Sequence, residues 1–101
     1  MEESPYPEPV RLPIEDSIDL HRFSPNEVRI VVEEYLKEAH RAGFREVRLI
    51  HGKGTGVQRE IVRSLLARDP LVLDYRDARP DQGGLGATLA RLKPPLGRQG
   101  P

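Results

Sequence analysis

The sequence predicts an α/β fold, specifically an α+β two-layer sandwich. Its element order is β-α-β-α-β-β, with about four strands in one mixed sheet and two helices packed on it. Three observations predict this. Short stretches of alternating or continuous apolar residues read as strands, and two longer stretches with three- and four-residue apolar spacing read as helices. Strand and helix alternate along the chain until the last two strands follow one another directly. A length of 101 residues suffices for one small domain and not for two.

Residues 14–21 read as the first strand, with Ile18 and Leu20 on one face and Asp19 and His21 on the other. Ser24-Pro25-Asn26-Glu27 then opens a helix. Serine caps, proline suits the first helical position, and Glu27 completes a capping box. Val28, Val32, Tyr35, Leu36 and Ala39 form the apolar stripe, with Arg29, Glu33, Lys37 and Arg41 outward. His40 also lies outward and reads as a solvated residue, and Gly43 is placed to end the helix. Residues 45–50 alternate and then turn apolar, as a buried strand does. A glycine loop follows. Thr55 and Gln58 have the spacing of a second capping box, and Ile61, Val62, Leu65 and Leu66 form the stripe of a second helix. Asp69-Pro70 ends it. Residues 71–75 read as a third strand, 81–84 as a turn and 87–92 as a fourth strand. Strands joined through a helix favour parallel pairing, and the last two favour a hairpin.

Seven of the ten prolines lie near the ends of the chain. Proline supplies no N–H to a ladder and resists helix. Residues 1–12 are therefore expected to be a flexible, proline-rich acidic tail, 13–92 the folded domain, and 93–101 a second flexible tail. No cysteine is present, so disulfides and thiolate metal sites are excluded. No stretch approaches the ~18 consecutive apolar residues of a membrane span. The acidic start, Met1-Glu2-Glu3-Ser4-Pro5, does not match a secretory signal. A soluble cytoplasmic protein without membrane partners is the expectation. Formal charge is zero, which argues against a simple polycation that coats DNA. The charge is unevenly spread, however. Residues 45–68 hold Arg45, Arg48, Lys53, Arg59, Arg63 and Arg68 against Glu46 and Glu60, a net +4. This basic stretch suits a phosphodiester, and it equally suits a solvated helix face.

The loop His51-Gly52-Lys53-Gly54-Thr55-Gly56 lies between an expected strand and an expected helix. The first N–H groups of a helix lack intrahelical partners and carry partial positive charge. Glycines let an anion approach the backbone, and Lys53 adds a full charge. A Walker loop needs Ser or Thr directly after Gly-Lys, but Gly54 follows Lys53. A dinucleotide loop needs glycine at position 57, which is Val57. Neither nucleotide pattern is met. Asp19-x-His21 sets a carboxylate beside an imidazole, a pair suited to proton transfer. If the first two strands are parallel neighbours, His21 and His51 share the C-terminal edge of the sheet. Asp19, His21, His51 and Lys53 then surround one anion site. Two histidines and an aspartate can also hold a divalent metal, which leaves Mg²⁺ or Mn²⁺ open as a cofactor. Gly83-Gly84-Leu85-Gly86-Ala87-Thr88 reads either as a hairpin turn or as a close path for a substrate backbone.

Three segments in this order resemble the Smr (small MutS-related) domain family: Ile18-Asp19-Leu20-His21, the loop at 51–56, and Gly83-Gly84-x-Gly86-Ala87-Thr88. The resemblance covers nearly all of residues 16–92. It implies a sandwich similar to the C-terminal domain of translation initiation factor three. It also implies a nicking endonuclease or a nucleic-acid-binding role. Some members act on branched DNA in recombination control, and others cleave messenger RNA on stalled ribosomes. Asp19 and His21 match the family's first-motif aspartate and histidine, and His51, Gly52, Lys53 and Gly54 match its second motif. Many members carry glycine after the first histidine. Here Arg22-Phe23 follows, a departure that points to a sub-group of short stand-alone proteins.

The expected function is accordingly a nucleic-acid-binding domain that nicks or cleaves phosphodiester bonds in structured or branched DNA or RNA. Asp19, His21 and His51 are the candidate catalytic residues. Gly52, Lys53, Gly54, Thr55, Gly56, Arg59, Gly83, Gly84 and Gly86 are the candidates for holding phosphate. The alternative is a non-catalytic binding module or an adaptor in DNA repair, recombination or ribosome rescue. Targeting that a MutS-like ATPase or a long coiled coil provides elsewhere is expected from a protein partner, from the tails, or not at all.

Overall fold

The computed structural model describes residues 14–95. Its elements are β1 (Ser17–Asp19), α1 (Pro25–Ala42), β2 (Glu46–Ile50), α2 (Val57–Arg68), β3 (Val72–Asp77) and β4 (Ala87–Leu92). Short 3₁₀ turns, Pro80–Gln82 and Gly84–Gly86, join β3 to β4. The order is the one the periodicities predict. The sheet runs β1-β2-β4-β3, with β1 parallel to β2 and β4 antiparallel to both of its neighbours. The last strand thus enters the middle of the sheet. Five of its six residues are buried and only Arg91 is exposed, as a strand covered on both faces requires.

Both helices pack on one face of the sheet. Val28, Val32, Tyr35, Leu36 and Ala39 of α1 and Val62, Leu65 and Leu66 of α2 close over Val47, Leu49, Ala90 and Leu92. Removing these side chains from water is the main stabilising term. The other face carries a smaller cluster, Ala78, Ala87 and Leu89 with Ile50. Around it, Arg76 pairs with Glu46 at 2.9 Å and Arg91 with Asp74 at 2.5 Å. Among the described residues no helix is long and apolar enough to cross a membrane.

Several boundaries differ from expectation. β1 is three residues long, not the eight of 14–21, because only Ser17, Ile18 and Asp19 have ladder partners on β2. β3 extends to Asp77, where pairing with Thr88 continues the ladder. The expected tail 1–12 lies outside the described residues, as does 96–101. Lys93 and Pro94, placed in the second tail, are attached to the domain. The Lys93 N–H donates to Leu71 O at 2.9 Å, and Pro94 O lies 3.1 Å from His40 Nε2. His40 is therefore half-buried and partnered, not simply solvated.

Candidate functional site

The parallel register sets Asp19 opposite Ile50, so β1 and β2 end together. Leu20 N–H donates to Ile50 O at 2.7 Å, which carries this alignment one residue further. Leu20 is fully buried and anchors the turn. His21 comes next, held by Asp19 in two ways. Asp19 Oδ1 accepts the His21 backbone N–H at 3.0 Å and lies 2.5 Å from His21 Nδ1. These two hydrogen bonds hold the Asp19 carboxyl below its ordinary range. With Nδ1–H donating to the carboxylate, Nε2 is the acceptor, and it has no hydrogen-bond partner among the described residues.

His51 stands just past the end of β2 and is only 3% exposed. Its Nδ1 lies 2.9 Å from Gly52 O, and its Nε2 lies 2.9 Å from Thr88 Oγ1. A carbonyl can only accept, so Nδ1 carries the proton and Nε2 accepts from the threonine hydroxyl. Burial pushes the His51 pKa down, which favours this neutral ring. Below it, Gly86 O accepts the N–H groups of both His51 and Gly52, at 3.0 and 2.9 Å. Two glycines pack at van der Waals distance from neighbouring segments here. Gly52 has φ +83°, and a Cβ on it would lie 3.4 Å from His21 Cβ. A Cβ on Gly86 would lie 3.4 Å from Lys53 Cγ and 3.7 Å from Lys53 N.

Gly56 is the N-cap of α2, and no side chain caps the helix there. Val57 N–H reaches Thr55 Oγ1 at 3.4 Å. The expected Thr55/Gln58 capping box does not form. Gln58 instead turns toward β1 and donates from Nε2 to Phe23 O at 2.5 Å, with Leu20 O at 3.4 Å. It ties the start of α2 to the turn that carries His21. Arg59 and Arg63 both bind Asp77, the former at 2.8 Å, and these arginines hold the Asp77 carboxyl below its ordinary range.

His21, His51, Gly52, Lys53, Gly54, Thr55 and Gly56 thus border one depression of about 400 Å³, with Val57 and Gln58. Asp19 joins it through His21, and Gly86 supports it from beneath. Arg59, Gly83 and Gly84 do not line it: Arg59 turns to Asp77, and Gly83 and Gly84 belong to the 3₁₀ turns. His51 has no free ring nitrogen to offer, and among the described residues no three His, Cys, Asp or Glu side chains gather to hold a metal ion. Reading Asp19, His21 and His51 as one metal set is therefore not met. Sequence reasoning did not assign Thr88, which holds His51, or Asp77, which holds Arg59. A polar residue among the buried positions of β4 was the signal for Thr88.

A family model of the Smr domain matches residues 18–93. The chain belongs to the Smr domain family. It is 40% identical over 77 residues to the endonuclease MutS2 of Caldicellulosiruptor saccharolyticus, which is 76% of this chain and 10% of that protein. The MutS2 of Thermus thermophilus matches with the same identity and coverage. The chain therefore spans about a tenth of the length of these relatives. The crystal structure of the Smr domain of Thermus thermophilus MutS2 superposes with a TM-score of 0.76 at 39% identity, covering 79% of this chain and 100% of that one. YdaL, a stand-alone small MutS-related protein from Escherichia coli, superposes with a TM-score of 0.69 at 34% identity, covering 80% of this chain and 66% of its own. The four-stranded mixed sheet with two helices is thus the Smr fold.

Proposed function

We propose that this Smr domain binds nucleic acid and cuts phosphodiester bonds in structured DNA or RNA. One observation carries the reading. The Asp19–His21 pair and the loop at 51–56 open onto the same depression, with the Gly52 backbone directly under His21. In this reading the loop N–H groups and Lys53 hold a phosphate and offset the charge that develops on it. Asp19 fixes the His21 ring, and His21 Nε2 takes the proton from an attacking water as its oxygen bonds to phosphorus; the bond from phosphorus to the leaving sugar oxygen breaks, and solvent protonates that oxygen. His51 anchors the loop through Gly52 and Thr88 and moves no proton itself. Gly86 keeps the loop close to the sheet, and Arg59 adds positive field at the start of α2. The endonuclease name of the MutS2 relatives supports this reading, although the match covers only a tenth of their length.

The test is a nuclease panel of supercoiled plasmid, a four-way junction and structured RNA, with Mg²⁺, with Mn²⁺ and with EDTA. Cleavage of at least one substrate is expected. His21→Ala should then slow it by roughly 10²-fold or more, a general acid–base contribution. An unchanged rate rejects the role given to His21. If all substrates remain uncut yet bind, the domain is a binding module.

A further inference from the structure

Ile30 of α1 is 64% exposed, and an isolated exposed aliphatic is ordinary. This one is not isolated. With Ile14, Ile18 and Val31 it lines a groove of about 460 Å³ between α1 and β1, which Glu34 and Glu38 border. Among the described residues no Lys or Arg lines the groove, and no residue of β2 does, so it lies at the outer side of β1. Lys37 and Arg41 pair with Glu34 and Glu38 along the helix, at 3.5 and 2.5 Å. Such exposed pairs are weak and yield to a competing cation. Tyr35 also lines the groove, and its hydroxyl donates to Glu15 O at 2.6 Å. Burial and the neighbouring Asp16 and Glu15 carboxylates push the Tyr35 pKa up, so four carboxylates surround this apolar surface. The strand beside it has a free edge. Among the described strands, β1 has a neighbour on one side only. Asp16 O accepts the Arg48 N–H at 2.9 Å, and Leu20 N–H donates to Ile50 O at 2.7 Å. Backbone groups alternate sides along a strand, so Ser17 and Asp19 direct their N–H and C=O groups away from β2. An edge of this kind accepts one more strand.

We infer that the groove between β1 and α1 docks an extended segment of a partner protein, rich in aliphatic residues and in lysine or arginine. The segment adds to the edge of β1, and its backbone pairs with Ser17 and Asp19. Alternate residues of an added strand face the same side. Aliphatic side chains on that side meet Ile14, Ile18 and Ile30, and basic ones beside them reach Glu34 and Glu38. The charge of the rim decides the occupant. It repels nucleic acid, in contrast to the Lys53 loop. It also disfavours the chain's own residues 1–12, which carry Glu2, Glu3 and Glu8 against Arg11. A basic segment has the complementary sign. The depression at 51–56 shares no lining residue with this groove, so the inference does not rest on the proposed cleavage.

The probe is a short, fluorescein-labelled, acetylated peptide alternating valine and arginine, with a counterpart carrying glutamate for arginine. Anisotropy titrations with the full chain should show the basic peptide binding at least about tenfold more tightly than the acidic one. Ile30→Ser should weaken the basic peptide by about tenfold, as loss of one buried aliphatic contact does. Glu34→Gln/Glu38→Gln should weaken it and reduce its salt dependence. Thermal melting checks that both variants are folded. Amide NMR spectra of the parent give a readout that needs no variant: peptide should shift Ser17, Ile30 and Glu34 and slow exchange of the Ser17 amide. No binding, equal binding of the acidic peptide, or shifts confined to residues 51–56 overturns the inference. A dimer in sedimentation that Ile30→Ser disperses assigns the groove to a second copy, and contacts from Leu12 to Ile30 in the free chain assign it to the chain's own N-terminal segment. Either result overturns the basic partner. No nucleic acid enters these measurements, so their outcome is separate from that of the nuclease panel.

Discussion

His21 and His51 differ in what their ring nitrogens touch, and that divides their chemistry. His21 is bound through Nδ1 to an exposed carboxylate, its other nitrogen has no hydrogen-bond partner among the described residues, and the residue borders the depression. His51 spends both nitrogens inside the fold. Protonating His51 would place charge in a buried site, with Arg59 and Arg63 adding repulsion. Its folded pKa is accordingly below the ordinary value of about 6.5. In the relevant range the folded state binds fewer protons than the unfolded chain. The His51 contribution is thus complete above about pH 6.5 and is lost as pH falls from there through the lowered folded value. Thermal melts should show the parent losing stability between pH 7.5 and pH 5. His51→Gln should melt lower at pH 7.5 and lose part of that pH dependence. An unchanged slope would mean that the acid sensitivity arises elsewhere. The histidine types were legible in the sequence. Their partners were not, because Thr88 lies 37 residues from His51.

At the scale of elements, the same four-residue pattern occurs at both helix starts and works at only one. Ser24 caps α1, with its Oγ accepting from Glu27 N at 3.4 Å and Glu27 Oε1 accepting from Ser24 N at 2.8 Å. At α2, Gly56 occupies the N-cap, so Thr55 lies outside the helix and Gln58 is its second residue. From there Gln58 cannot complete a box with Thr55, and its amide is free to reach Phe23 O. Ser24→Ala should cost about 1 kcal/mol, read as a lower urea midpoint with unchanged slope. A loss near zero would show that Pro25 and the buried stripe of α1 suffice to start the helix. The helices themselves were legible because their stripes and stop signals are local. The length of β1 was not, since pairing with β2 decides it.

Across the whole molecule, neutrality coexists with a concentrated basic region. The net +4 over residues 45–68 includes Lys53 at the depression. Arg59 and Arg63 share Asp77, which tempers that charge, so Lys53 carries the full charge at the loop. Lys53→Ala should therefore weaken binding to DNA and RNA probes alike. The slope of log affinity against log salt should fall by about one. Titrations at several salt concentrations measure it, and a slope equal to the parent's would remove Lys53 from the phosphate contact.

By itself the sequence determined the order of elements, the cap of α1, the parallel link between the first two strands and the glycine-lysine loop. These depend on side-chain periodicity, turn residues and short-range hydrogen bonds, each acting over a few neighbouring residues. Only the tertiary structure decided that β4 enters between β2 and β3. That placement sets Gly86 beneath the loop and Thr88 against His51, while the parallel register sets His21 over Gly52. Such contacts join segments about thirty or more residues apart. They follow from burying both faces of the central strand together, a requirement of the whole core that no local pattern contains.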